Sequence, residues 1–222
     1  MSVAAEIRRA RLLGLDWLSP TAFCLTLERA GFSFRAGELI GLQGPGRLDA
    51  RDYTLACGER DEQLRVLVRR IPQGTLTPWL SCRQPGEWLE FTGPYGTFTL
   101  RDPARPAVFL ATGTGIAPAL AFRRSHPRLP LTVLHGVARA EDLFFRAEFD
   151  PARYWPCVSR EPHAGWQGRV TDRLRELGPT PDAHYYLCGA NEMIYEAEDW
   201  LIASGVPRAS IFHEPYYYRW DA

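Results

Sequence analysis

Leu110-Ala111-Thr112-Gly113-Thr114-Gly115-Ile116-Ala117-Pro118 is the stretch that decides how the second half of the chain folds. An apolar run ends in two glycines one residue apart, and Pro118 follows where a helix can open, because proline's missing N–H costs nothing in a first turn. The expected order is strand, tight turn, helix. Unpaired N–H groups at such a helix start attract anions, and the glycines let a pyrophosphate approach the backbone. A dinucleotide suits that geometry. The run lacks the full G-x-G-x-x-G spacing, so taken alone it also fits a purely structural turn.

Around this stretch, apolar strand-like runs recur at Ala107 to Ala111, Leu131 to His135, Tyr154 to Val158, Tyr185 to Cys188 and Ser210 to His213. Helix-like segments lie between them at Pro118 to Arg124, Glu141 to Glu148, Val170 to Leu177 and Glu192 to Ala203. This alternation predicts an α/β domain with a parallel sheet and helices on both faces. Toward the N-terminus the rhythm is different. Short β-like runs at Thr21 to Glu28, Leu39 to Leu42, Tyr53 to Ala56, Leu64 to Arg69 and Trp88 to Phe91 alternate with turn residues, as in a small antiparallel β-barrel or sandwich. The proline-containing stretch Arg101-Asp102-Pro103-Ala104-Arg105-Pro106 separates the two patterns, which predicts domains at 1–103 and 104–222.

Composition removes several function classes. The 26 basic and 26 acidic residues cancel, which argues against a nucleic-acid partner. Every basic residue is arginine, so Schiff-base chemistry and a Walker lysine are excluded. Cys24, Cys57, Cys82, Cys157 and Cys188 are scattered, matching neither a zinc or iron–sulfur spacing nor a disulfide framework. No metal site is expected. The opening residues have neither a signal-peptide core nor a membrane-spanning segment, so the expectation is a cytoplasmic protein without a membrane partner.

In the first half, Arg51-Asp52-Tyr53-Thr54 starts a strand, where Arg51 and Tyr53 share a face. An arginine fork suits phosphate and a tyrosine offers an aromatic plane, although such a pair also occurs on an ordinary solvated face. Further on, Ile71-Pro72-Gln73-Gly74-Thr75-Leu76-Thr77-Pro78 reads as a turn followed by a helix, with Thr77 as N-cap and Pro78 at the first helical position. That is a second candidate anion site.

Taken in order, these motifs resemble the ferredoxin–NADP reductase family of flavoproteins. The R-x-Y-S/T signature is Arg51, Tyr53 and Thr54, and G-x-x-S/T is Gly74 to Thr77. A G-P-x-G turn follows as Gly93-Pro94-Tyr95-Gly96, then the nucleotide motif Gly113 to Pro118, and Cys188-Gly189-Ala190-Asn191-Glu192-Met193-Ile194 resembles C-G-x-x-x-M-I. The resemblance implies a flavin-binding barrel followed by a nicotinamide-nucleotide domain, with FAD and NADP(H) as cofactors. It implies that Arg51 pairs with the flavin pyrophosphate, Tyr53 packs on the ring and ribityl chain, and Thr54 hydrogen-bonds the ring near N5. Backbone N–H groups of Gly74, Thr75, Leu76 and Thr77 would hold the pyrophosphate. Thr112, Gly113, Thr114, Gly115, Gly189 and Met193 would line the nicotinamide nucleotide, with Cys188 beside nicotinamide C4 and Glu214 as the nearby carboxylate. Tyr216, first of the aromatic tail Tyr216-Tyr217-Tyr218-Arg219-Trp220, would cover the flavin until nicotinamide displaces it. The chain departs from the pattern at Ala190-Asn191, where a proline is common, and at Thr54, where serine is commoner.

Ser159-Arg160 and Gly168-Arg169 sit where a third parallel strand ends, and there a hydroxyl and two guanidinium groups can hold a ribose 2′-phosphate. They are also similar to the NADP-binding arginines of bacterial family members, which implies NADPH rather than NADH. Arg139 is one residue out of the family's register. The implied reaction is hydride exchange between nicotinamide and FAD, then single-electron exchange with a separate carrier such as ferredoxin, flavodoxin or an oxygenase component. A monomer is expected. A free-flavin reductase and a non-catalytic nucleotide-binding module are the alternatives.

Overall fold

The computed structural model describes residues 6–47 and 49–216. The aromatic tail beyond Tyr216 lies outside them. In the first half, β1 (Arg8–Ser19), β2 (Ala22–Glu28), β3 (Leu39–Gln43), β4 (Ala50–Thr54) and β5 (Gln63–Arg69) precede a short helix, α1 (Leu76–Leu80), and β6 (Trp88–Tyr95). The strands form one antiparallel sheet in the order β4-β3-β6-β1-β2-β5. An isolated bridge between Leu55, just after β4, and Val66 of β5 brings the two edge strands together, so the sheet curls as in a small barrel. Leu12, Phe23, Leu25, Ile40, Leu42, Leu64, Val66 and Phe91 fill the interior.

The second half runs β7 (Ala107–Thr112), α2 (Ala117–Ser125), β8 (Leu131–Val137), β9 (Tyr154–Val158), β10 (Trp166–Gln167), α3 (Val170–Leu177), β11 (His184–Gly189), α4 (Asn191–Ala203) and β12 (Ile211–Pro215). All six strands are parallel, in the order β10-β9-β8-β7-β11-β12. Residues of β7 alternate between the two sheet faces, as a period of two requires. Ala107, Phe109 and Ala111 pack with Phe122 of α2, while Val108 and Leu110 pack with Leu174 of α3 and Leu201 of α4. Strand order reverses between β7 and β11, and the crevice beyond their carboxyl ends is where open α/β sheets take ligands.

The halves share a core. Phe98, after the barrel's last strand, packs its ring on Phe109, Phe122 and Tyr186 at 5.8 to 6.3 Å between centroids. Polar ties surround this contact: Arg124 Nε donates to Asp61 at 2.7 Å, and Asp142 Oδ1 accepts the hydroxyls of Ser19 at 2.7 Å and Thr21 at 3.1 Å.

One strand escapes the sequence reading and two local expectations need correction. The 12-residue β1 does not stand out among short alternating runs, because much of its surface is exposed and it carries arginines on its solvent side. The helix expected over 141–148 is instead two 3₁₀ turns, Ala140–Asp142 and Arg146–Glu148, separated by Phe145 at φ +56°. The barrel's hold on Asp142 and the Arg65 guanidinium 4.8 Å from the Phe145 ring bend this segment where a continuous helix cannot follow. Helix α1 begins at Leu76 with Thr75 as its N-cap residue, so Thr77 is not the cap; its buried Oγ1 accepts the Ile71 N–H at 2.8 Å.

Candidate functional site

Two cavities meet at the junction of barrel and sheet. The larger, about 650 Å³, is lined by Arg51, Asp52, Tyr53 and Thr54 of β4, the 74–77 turn, Thr114, and Glu214 to Tyr216 at the end of β12. The smaller, about 450 Å³, lies over the carboxyl ends of the parallel strands, among Thr112, Gly113, Gly136 to Ala138, Ser159, Arg160, Gly168, Arg169 and Met193. The loop after β7 stands between them, presenting Thr114 to one and Thr112 and Gly113 to the other. Arg69, at the end of β5, touches both. Its sequence context carries no signal of this, since it ends an ordinary strand.

Between β7 and β11 the packing demands glycine. Gly189 has φ +127°, and a Cβ there would fall 2.1 Å from Thr112 Oγ1, which accepts the Ala190 N–H at 2.8 Å. A Cβ on Gly115 would lie 2.5 Å from the Cys188 carbonyl oxygen. These two glycines let the loops after β7 and β11 interlock at the switch point. A 3₁₀ turn, Gly113–Ile116, then leads into α2, with Pro118 in the helix's first turn.

At the floor of the larger cavity a hydrogen-bond chain crosses from barrel to sheet. Tyr216 donates its hydroxyl to Thr54 Oγ1 at 2.7 Å, and Thr54 donates to Glu214 Oε2 at 2.8 Å. Parallel pairing sets the sheet side of this chain: Cys188 lies beside Glu214 and Gly189 beside Pro215, and the Tyr216 N–H donates to the Gly189 carbonyl at 2.9 Å. The four residues expected at the reaction centre, Thr54, Cys188, Glu214 and Tyr216, therefore assemble from both halves of the chain. Cys188 is fully buried and opens to neither cavity; Tyr216 packs over the cluster that contains it. Burial, reinforced by the Glu214 charge, pushes this thiol well above its ordinary pKa and keeps it neutral. Thr54 spends its proton on Glu214 in this arrangement rather than pointing it into the cavity.

Burial raises the Glu214 carboxyl to about 7, with the Thr54 hydrogen bond pulling the other way. A folded-state value above the unfolded one means that stability is fully present below the ordinary pKa of 4.5 and is lost as pH rises through 7. The protein is expected to lose about 3 kcal/mol across that window, and Glu214→Gln to flatten the loss. Urea unfolding at a series of pH values checks this.

Arg51 opens on the larger cavity but also pairs with Asp49 at 2.5 Å and donates to the Ala50 carbonyl at 2.7 Å. Tyr53 shares its face as expected, and the intervening Asp52 accepts a hydrogen bond from the Tyr95 hydroxyl at 2.5 Å. In the smaller cavity Arg160 and Arg169 are exposed, and neither is in an ion pair among the described residues. Ser159 donates its hydroxyl to the Val137 carbonyl at 3.2 Å, so its proton is directed at the backbone. Arg139 is not among the residues lining this cavity.

The donor set of the larger cavity fits a flavin with a pyrophosphate: two arginines, Arg51 and Arg69, a backbone turn, two tyrosine rings and a hydroxyl at the floor. The smaller cavity, walled by Gly113, Gly136 and Gly168, carries the guanidinium groups of Arg69, Arg160 and Arg169 beside the carboxylates of Asp142, Glu192 and Glu196, and its glycines and cations fit a phosphorylated nucleotide. Fold and site together define a two-domain flavin and nicotinamide oxidoreductase. Residues 19–100 match the family model "Oxidoreductase FAD-binding domain" and 109–199 match "Oxidoreductase NAD-binding domain". Ferredoxin–NADP reductase B of Sorangium cellulosum is 32% identical, over 96% of this chain and 99% of that protein. The electron transfer component of toluate 1,2-dioxygenase of Pseudomonas putida is 27% identical, over 94% of this chain and 67% of that protein. The crystal structure of the cytochrome P450 reductase GcoB of Amycolatopsis superposes with a TM-score of 0.85 at 27% identity, covering 96% of this chain and 71% of that one. The chain belongs to the ferredoxin–NADP reductase family of FAD- and NAD(P)-binding oxidoreductases. Among the described residues no helix is long and apolar enough to cross a membrane.

Proposed function

We propose that this protein exchanges a hydride between NADP(H) and a bound FAD, and single electrons with a separate carrier such as ferredoxin or flavodoxin. The observation that carries this reading is the Tyr216–Thr54–Glu214 chain, which ties the two halves together where the cavities meet. When bound, the two cofactors supply the hydride exchange and the division into single electrons. The chain's own residues bind, orient and exclude water. Residues 1–103 act as the flavin domain, with Arg51 and the Gly74, Thr75, Leu76 and Thr77 turn on the pyrophosphate and Tyr53 on the ring. Residues 104–222 act as the nucleotide domain. In it Thr112 to Gly115 hold the dinucleotide phosphates, Ser159, Arg160 and Arg169 the 2′-phosphate, and Gly189 and Met193 the nicotinamide side.

Tyr216 covers the flavin site until nicotinamide arrives, and its departure exposes Cys188, whose neutral sulfur gives the rings a dry contact. Glu214 accepts the Thr54 hydroxyl at Oε2, and its raised pKa of about 7 lets the carboxyl take up or release a proton near neutral pH. A fixed, water-poor contact of this kind favours rate through orientation more than through binding. The toluate dioxygenase and P450 relatives are named as parts of oxygenase systems, which makes an oxygenase component the second choice of acceptor. Turnover of NADPH by the purified yellow protein with added ferredoxin, flavodoxin or free FMN tests the proposal. Reduction of a protein carrier with FAD retained supports it. Turnover with free FMN alone, with flavin lost on gel filtration, favours a free-flavin reductase.

A further inference from the structure

We infer that His135 is a positioning residue for nucleotide binding: from beneath the loop after β7 it holds the Gly113 carbonyl, and so fixes the Thr112–Gly113 stretch that lines the nucleotide cavity. The inference rests on the nucleotide reading of that loop given above.

His135 lies near the end of β8, directly beside Ala111 in the parallel register, and has no exposed surface. Its Nε2 is 2.9 Å from the Gly113 carbonyl oxygen and its Nδ1 is 2.8 Å from the Tyr154 hydroxyl. A carbonyl only accepts, so Nε2 carries the ring proton. A neutral imidazole has one N–H, so Nδ1 accepts from Tyr154. Burial lowers the His135 pKa to about 4, which keeps the ring neutral and this tautomer in place at working pH. Stacking of Tyr154 on Phe149, at 5.4 Å between centroids, anchors the hydroxyl that selects it.

The consequence for the loop follows from peptide geometry. In a planar trans peptide the C=O and the next N–H point to opposite sides. Holding the Gly113 carbonyl on His135 therefore turns the Thr114 N–H away from His135 and sets the orientation of the Gly113 peptide at the cavity wall. Gly113 takes φ +52°, a left-handed conformation that only glycine adopts readily, and nothing stands within 4 Å of where its Cβ would be. With no side chain at Gly113 to steady the turn, the His135 hydrogen bond is the side-chain contact that orients this peptide. Nothing in the apolar run of β8 marks His135 as more than a core residue.

Binding of NADP⁺ and of adenosine 2′-phosphate to the FAD-loaded protein, measured by calorimetry, tests the inference. The second ligand carries the 2′-phosphate but no pyrophosphate. His135→Leu is expected to weaken NADP⁺ about tenfold and leave adenosine 2′-phosphate within about twofold, with the flavin spectrum unchanged. His135→Gln, which keeps a donor for Gly113, is expected to recover most of the NADP⁺ affinity. Tyr154→Phe supplies a variant that leaves the ring in place. It frees the tautomer while keeping the packing, and its expected effect is a smaller loss confined to NADP⁺. Equal weakening of both ligands, or none for NADP⁺ in either His135→Leu or Tyr154→Phe, overturns the positioning role. Failure of the wild-type protein to bind NADP⁺ at all overturns the nucleotide reading instead.

Discussion

Replacing Arg160 and Arg169 together with alanine is expected to raise the KM for NADPH about a hundredfold while leaving that for NADH within about twofold. Both side chains line the smaller cavity, both are exposed, and neither is in an ion pair among the described residues, so their removal leaves no buried charge behind. Each charge-assisted bond to a 2′-phosphate contributes about tenfold in affinity, and NADH has no phosphate to lose. The kcat for NADPH should change little, because these contacts are equal in ground and transition states. Steady-state kinetics with both nucleotides on the double variant provides the check. Equal losses for NADPH and NADH would remove the 2′-phosphate assignment.

The second large effect is expected at Thr54. Thr54→Val keeps the shape of a side chain that is only 2% exposed but deletes the hydroxyl between Tyr216 and Glu214. Two polar groups then lose a partner at the domain junction, at a cost of about 1–3 kcal/mol in stability. Flavin reduction by NADPH should slow about a hundredfold, because once Tyr216 has moved aside Glu214 loses the hydroxyl that holds it in place. Thr54→Ser restores the hydroxyl and should recover most of the rate. Rapid-mixing measurements at equal flavin content separate this loss from simple loss of FAD.

Much of this architecture is legible in the sequence because it is written in local patterns. The apolar runs of β7, β8 and β11 and the helical segment of α3 are visible in the sequence, and Gly115 and Gly189 stand out through the motifs that contain them. What escapes a sequence reading depends on contacts distant along the chain. His135 looks like one more residue of a buried strand until the fold sets it under Gly113. Asp142 belongs to an apparent helix until Ser19 and Thr21 draw it to the barrel. The family resemblance marks the four central residues, but the relay of hydrogen bonds through Thr54 exists only once β4 and β12 meet. Ser159 shows the converse, a residue of the right type whose hydroxyl is turned to Val137.

The most direct measurement is anaerobic mixing of the FAD-loaded protein with NADPH, and separately with NADH, while the absorbance of the bound flavin is followed. The account predicts a yellow protein that NADPH bleaches quickly and NADH bleaches far more slowly. A colourless protein that takes up no FAD, or a yellow one that neither nucleotide bleaches, would contradict it.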